Sequence, residues 1–137
     1  MNLQATDEQI LRCVAEIYQC RIVDEDTFFQ SLRTHNLELL AMLDLEDSSL
    51  CLSTGQHTGW EYPFQDDNDA MNLVKELGYT LKLQQFHDVT VARVSTPSLD
   101  YFEEHGKNRT AAITKAAVGL WLKLQSRLDP EGRIIPR

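Results

Sequence analysis

The sequence has no long apolar run. Nowhere does it approach the roughly 18 uninterrupted apolar residues that a membrane-spanning helix needs. Its first residues, MNLQATDEQILRC, lack a basic segment leading into an apolar stretch, so no secretory signal is expected. Cysteine is scarce: Cys13, Cys20 and Cys51 are an odd set that cannot all pair within one chain. These absences point to reduced thiols and a cytoplasmic setting, which makes the Asn108-Arg109-Thr110 sequon a coincidence. The histidines, His35, His57, His87 and His105, stand at no metal-ligand spacing, and Cys13 and Cys20 have no histidine near enough to complete a zinc motif. There is no Gly-x-Ser-x-Gly elbow, so a serine nucleophile has no recognisable setting. Metal, cofactor and catalytic residues are therefore all expected to be absent.

Charge is unbalanced. Acidic residues number 21 against 13 basic ones, for a net charge of −8. That field repels a phosphate backbone, so nucleic-acid backbone binding is disfavoured. The acids fall in short groups, Asp24-Glu25-Asp26, Asp44 with Glu46-Asp47, Asp66-Asp67 with Asp69, and Glu103-Glu104. Solvated helix starts and loops account for such groups better than a DNA-mimicking surface, which would need a long acidic run.

The length, 137 residues, suits one domain, and an apolar fraction of 42% supports a real core. The expected fold is α+β, with residues 1–55 mainly helical, 56–65 an aromatic loop, 66–128 a helix–hairpin–helix unit and 129–137 a loose tail. Ile10, Leu11, Val14, Ile17 and Tyr18 recur at helical spacing behind Thr6, which predicts a helix over about 6–19. Phe28, Phe29, Leu32, Leu37, Leu39, Leu40 and Leu43 predict helix over about 27–43, broken near Thr34-His35-Asn36, with His35 as a turn residue. Leu50 and Leu52 alternate weakly and suggest a short strand near 49–54. Ala70, Leu73, Val74 and Leu77, followed by Gly78, predict a helix over about 67–77 with a left-handed glycine stop. The period then becomes two. Tyr79, Leu81 and Leu83 open a hairpin over about 79–95 that turns near Gln85–Asp88 and returns through Val89, Val91, Ala92 and Val94. The change of face after Val91 means either a bulge or an inner strand covered on both sides. Ile113, Ala116, Ala117, Leu120, Trp121 and Leu124 define a last helix over about 110–128.

Chemistry is most plausible at Gly106-Lys107-Asn108-Arg109-Thr110. A helix start offers unpaired N–H groups and partial positive charge, and here two cations flank it. Such a place suits a phosphate, with Lys107, Arg109 and Thr110 as the hook and His105 beside it. No strand is expected to lead directly into this loop, and the glycine spacing of a P-loop is missing. The plainer reading makes Thr110 a cap and turns the cations to water. Trp60, with Tyr62 and Phe64, offers a stacking wall for a base or an anchor for a partner, or else merely covers a sheet. His57 and His105, the latter next to Glu103-Glu104, are the residues on which a small hydrolase would have to be built. Cys51 lies in an apolar run, which disfavours a reactive thiolate.

Trp60 with Tyr62-Pro63, the segment DDNDAMNLVKEL (Asp66 through Leu77), the hairpin, and RTAAITKAA from Arg109 through Ala117 resemble the small "ABA sandwich" domains of phages and prophages. The likeness covers the second half of the chain, and residues 1–55 carry no part of it. It implies helices packed on a short sheet, brings no catalytic residues with it, and places the protein in a host cytosol. The resemblance also implies an accessory protein that binds rather than catalyses. Its target would be a phosphorylated nucleotide-like ligand, sequestered to counter host antiviral defence. Alternatively it would inhibit a host enzyme through its acidic and aromatic surface. A homo-oligomer is expected as well, because a two-stranded sheet is marginal alone.

Overall fold

The computed structural model describes residues 2–36, 38–53 and 57–136. The fold is α+β, as expected, with four helices and seven strands in two sheets among the described residues. The chain divides into two compact units: Asp7–Tyr62, and Met1–Thr6 together with Pro63–Arg137.

In the unit Asp7–Tyr62, α1 (Asp7–Ile17) buries Ile10, Leu11, Val14 and Ile17 on the face anticipated from their spacing. After β1 (Arg21–Ile22), the Asp24 carboxylate caps α2 (Glu25–Arg33) by accepting the Thr27 N–H at 2.7 Å. The helix stops there, with His35 in a left-handed turn (φ 53°). Residues 34–36 and 38–43 are therefore not helical, contrary to expectation; Leu37 lies outside the described residues. Leu40–Asp44 is instead a strand, β2, which pairs in parallel with β1 and antiparallel with β3 (Ser49–Ser53). Leu, Ala and Met favour helix in isolation, but an inner strand with both neighbours in place reads as a continuous apolar run and overrides that preference. The strand expected near 49–54 is β3, although Thr54 is outside the described residues. Thr58–Glu61, expected as loop, forms β4 on the other side of β3, giving the order β1-β2-β3-β4. Phe28, Leu40, Met42 and Cys51 form a core cluster there, with Val23 and Leu32 against it.

In the other unit, Asp66 caps α3 (Asp67–Leu77), and Gly78 ends it in the left-handed conformation (φ 72°) while Tyr79 N–H closes back on the Val74 carbonyl. The hairpin is β5 (Thr80–Phe86) and β6 (Val89–Ser95), joined at His87-Asp88. Its register runs without interruption from Thr80 opposite Ser95 to Phe86 opposite Val89, so there is no bulge; nor is the strand covered on both sides, because Val91 is buried on the outer face but Arg93 beside it is exposed. A third strand, β7 (Tyr101–Gly106), was not anticipated; it pairs with β6 and makes β6 the centre of the sheet. The two-stranded sheet on which the expected homo-oligomer rested is thus three-stranded. Asn2 further brackets the backbone of His105 on β7, accepting its N–H and donating to its carbonyl.

α4 (Arg109–Leu124) lies across β6 and β7 and packs on α3. It ends at Leu124, four residues before the expected 128. Thr90, Ala92 and Val94 on β6, with Phe102 and Glu104 on β7, alternate inward on the side of the sheet that is buried. The expected loose tail is instead held by backbone contacts, as far as the Ile135 N–H that donates to the Arg127 carbonyl. Asp129 accepts the N–H groups of Glu131 and Arg133, Arg133 bridges to Gln4, and Ile134 bridges to Leu128. No helix among the described residues is long and apolar enough to cross a membrane.

Candidate functional site

The start of α4 is built differently from its sequence reading. Asn108, not Thr110, is the cap: its side chain accepts the Ala111 N–H at 2.9 Å. β7 leads into it through only Lys107 and Asn108, so a strand does enter this loop, contrary to expectation. That strand was hidden because its inward positions include a glutamate. Thr110 sits inside the first turn and is buried; its hydroxyl donates to Asp67 Oδ1. Arg109 Nε lies 3.7 Å from Asp67 Oδ2, with both side chains about half exposed. The first turn of α3 therefore delivers a carboxylate to the first turn of α4. A helix start that attracts an anion has found one within the chain. Lys107 is exposed and forms no ion pair among the described residues. His105 projects from β7 with Nε2 3.0 Å from Glu103 Oε1, and Glu103 also lies 3.9 Å from Arg93.

Glu104, grouped with Glu103 as a solvated acid in the sequence, is only 3% exposed. Its Oε2 accepts the Leu3 N–H at 2.8 Å. Burial pushes its carboxyl above the ordinary range, against opposing pulls from that hydrogen bond, Lys115 and His105. The signal that could have found it is the period of two through Phe102, Glu104 and Gly106.

Trp60 belongs to the unit Asp7–Tyr62. On β4 it is the register partner of Cys51, in line with Met42. It borders a groove of about 530 Å³ lined also by Arg12, Ile22, Val23, Asp24, Glu25, Phe29 and Met42 through Leu45. The exposed large hydrophobic side chains described in this unit are Phe29, Leu45 and Trp60, at 39%, 53% and 43% exposure, and all of them line that groove. Scattered singly, such residues would need no explanation; gathered in one concavity they form a candidate binding surface. Sequence reading missed Phe29 and Leu45, since spacing gives an apolar residue no sign of which side of a helix or turn stays uncovered.

His57 borders a separate, smaller cavity with Tyr18, Leu52, Thr58, Gly59 and Glu61. Cys13, Cys20 and Cys51 are buried, as small core residues would be. Burial raises the thiols of Cys20 and Cys51 above their ordinary value, which keeps them protonated and unreactive. Among the described residues no group of three His, Cys, Asp or Glu side chains is arranged to hold a metal. No family model, curated protein or solved structure matches the chain.

Proposed function

We propose that this protein acts by binding a protein partner in the groove beside Trp60, without catalysis. The observation that carries this reading is the convergence of Phe29, Leu45 and Trp60, exposed, on one concave surface. Aromatic anchors in a concave setting are where binding energy concentrates in protein interfaces. The resemblance to phage ABA sandwich domains fits an accessory role of this kind, with a host enzyme as the blocked partner. Selection of a random peptide display library against the intact protein tests it. Enriched peptides should change Trp60 emission in a Trp121→Phe background and lose binding in Phe29→Ala/Trp60→Ala. Peptides whose binding ignores that double substitution, or no enrichment at all, would sink the reading.

A second reading keeps the phosphorylated ligand at the start of α4. The observation in its favour is Lys107, a cation with no ion pair among the described residues beside a helix N-terminus. It requires the ligand to displace Asp67 from Arg109 and Thr110. Calorimetry with a nucleoside diphosphate decides: no heat, or heat unchanged in Lys107→Ala, removes it.

A further inference from the structure

We propose that the segment seated in the Trp60 groove is basic and amphipathic, placing apolar side chains among Phe29, Leu45 and Trp60 and lysine or arginine side chains over Asp24, Glu25 and Asp44. This rests on the protein-binding reading above and adds the partner's chemistry to it.

The groove carries three carboxylates against one cation, Arg12. That cation is already spoken for: its Nε lies 3.1 Å from Glu8 Oε2. The acids sit on two sides of the apolar floor, Asp24 and Glu25 at the start of α2, Asp44 at the end of β2. Exposed acids continue outward from both, as Asp26 on one side and Glu46-Asp47 on the other. Two of the three lining acids are held in place. Asp24 Oδ1 accepts the Thr27 N–H at 2.7 Å, and Asp44 Oδ1 accepts the N–H groups of Glu46 and Asp47 at 3.1 and 3.2 Å. Each of these carboxylates is thus fixed through one oxygen, which lowers the conformational cost of binding at the other.

A neutral segment covering the groove would strip water from these charges and return nothing. An acidic one would add repulsion. A basic one answers each carboxylate and is steered in by the net charge of −8. The floor suits such a segment. Ile22, Val23 and Met42 line it, and Met42 supplies an adaptable surface. At about 530 Å³ the groove holds a few side chains rather than a domain, within the roughly 300–1,000 Å³ of ordinary ligand clefts.

The test uses the full chain carrying Trp121→Phe, so that Trp60 alone reports, with calorimetry reading binding in variants that lack Trp60. Three synthetic peptides share one amphipathic arrangement of leucines, with the polar positions filled by lysine, serine or glutamate. The lysine peptide should bind at least about tenfold tighter than the serine peptide at low salt, lose that margin as salt is raised, and shift Trp60 emission; the glutamate peptide should not bind. Asp24→Asn/Glu25→Gln/Asp44→Asn should erase the lysine preference while leaving the fold intact, because Asn keeps the oxygen that accepts the backbone N–H groups. Removing the same charge elsewhere, by Glu76→Gln/Asp88→Asn/Asp100→Asn, should leave most of the preference.

If all three peptides bind equally and Phe29→Ala/Trp60→Ala abolishes binding, the basic partner is overturned while the groove survives. If the distant substitutions do the same damage as the groove substitutions, the attraction is general and the inference also falls. If no peptide binds, or binding ignores Phe29 and Trp60, both the inference and the protein-binding reading fail.

Discussion

The start of α4 and the groove beside Trp60 make opposite use of their residues. At α4, a helix N-terminus with a lysine, an arginine and a threonine has the composition of an anion site. Yet Asp67 answers Arg109 and Thr110, and Asn108 answers the Ala111 N–H. At the groove, residues with the composition of a core, Phe29, Leu45 and Trp60, are left outside. Folding tends to consume polar groups because an unpartnered donor or charge is costly inside a protein. Polar residues that look functional in a sequence are thus often already spent. Apolar residues that stay exposed together are harder to explain by folding, so they say more about partners.

Neighbouring phenylalanines put that contrast on one turn of α2. Phe28 is fully buried against Leu40, Met42 and Cys51; Phe29, edge-on to it at 5.8 Å between ring centroids, is 39% exposed in the groove. Phe28→Ala should cost about 3–5 kcal/mol, the range for a fully buried phenylalanine. Phe29→Ala should cost less than about 1 kcal/mol, typical of a substitution away from the core. Urea unfolding of both variants checks this. Equal losses would mean that Phe29 is structural and that the groove does not stand open for a partner.

The unit containing Pro63–Arg137 should show no comparable slack. A Cβ added to Gly119 on α4 would lie 2.6 Å from Cδ1 and Cε1 of the Phe102 ring, which is itself buried. Gly119→Ala gains up to about 1 kcal/mol in helix propensity. Overpacking against an aromatic ring in a closed core costs roughly 1–3 kcal/mol. The net expectation is a modest loss of stability, partly restored in Gly119→Ala/Phe102→Leu. A thermal midpoint that rises in the single variant would show that α4 sits loosely on β7, and the contrast with the groove would weaken.

Local signals carried much of this fold. The left-handed stop at Gly78 and the change of period from α3 to β5 were legible because each depends on a few adjacent residues. β2 and β7 were not legible, for different reasons. β2 is made of helix-favouring residues and becomes a strand only because β1 and β3 flank it. β7 is the acidic run Tyr101–Gly106, whose inward face pairs Phe102 with a buried glutamate. The candidate residues fared similarly. Sequence placed Lys107, Arg109, Thr110 and His105 near one another correctly, since they are neighbours in the chain. It had no access to Asp67, 43 residues from Thr110, which decides what they can do.

Glu104 and Asp24 extend the comparison to pH, with opposite signs. Burial raises the Glu104 carboxyl above its unfolded value, so between those two values the folded state holds a proton that the unfolded state has released. Stability from this group is fully present below the unfolded value and declines as pH rises through the raised one. The Asp24 carboxyl is lowered by its hydrogen bonds from Thr27, so its contribution is present above the unfolded value and is lost as pH falls through the lowered one. Glu104→Gln keeps an oxygen for the Leu3 N–H and removes the charge. It should flatten the decline on the neutral side and leave the acid-side loss untouched, whereas Asp24→Asn should do the reverse. Urea unfolding at a series of pH values reads both. If Glu104→Gln leaves the pH profile unchanged, the carboxylate is solvated when folded. The inner face of β7 would then be as open as the groove, and the two regions would no longer differ in the way proposed.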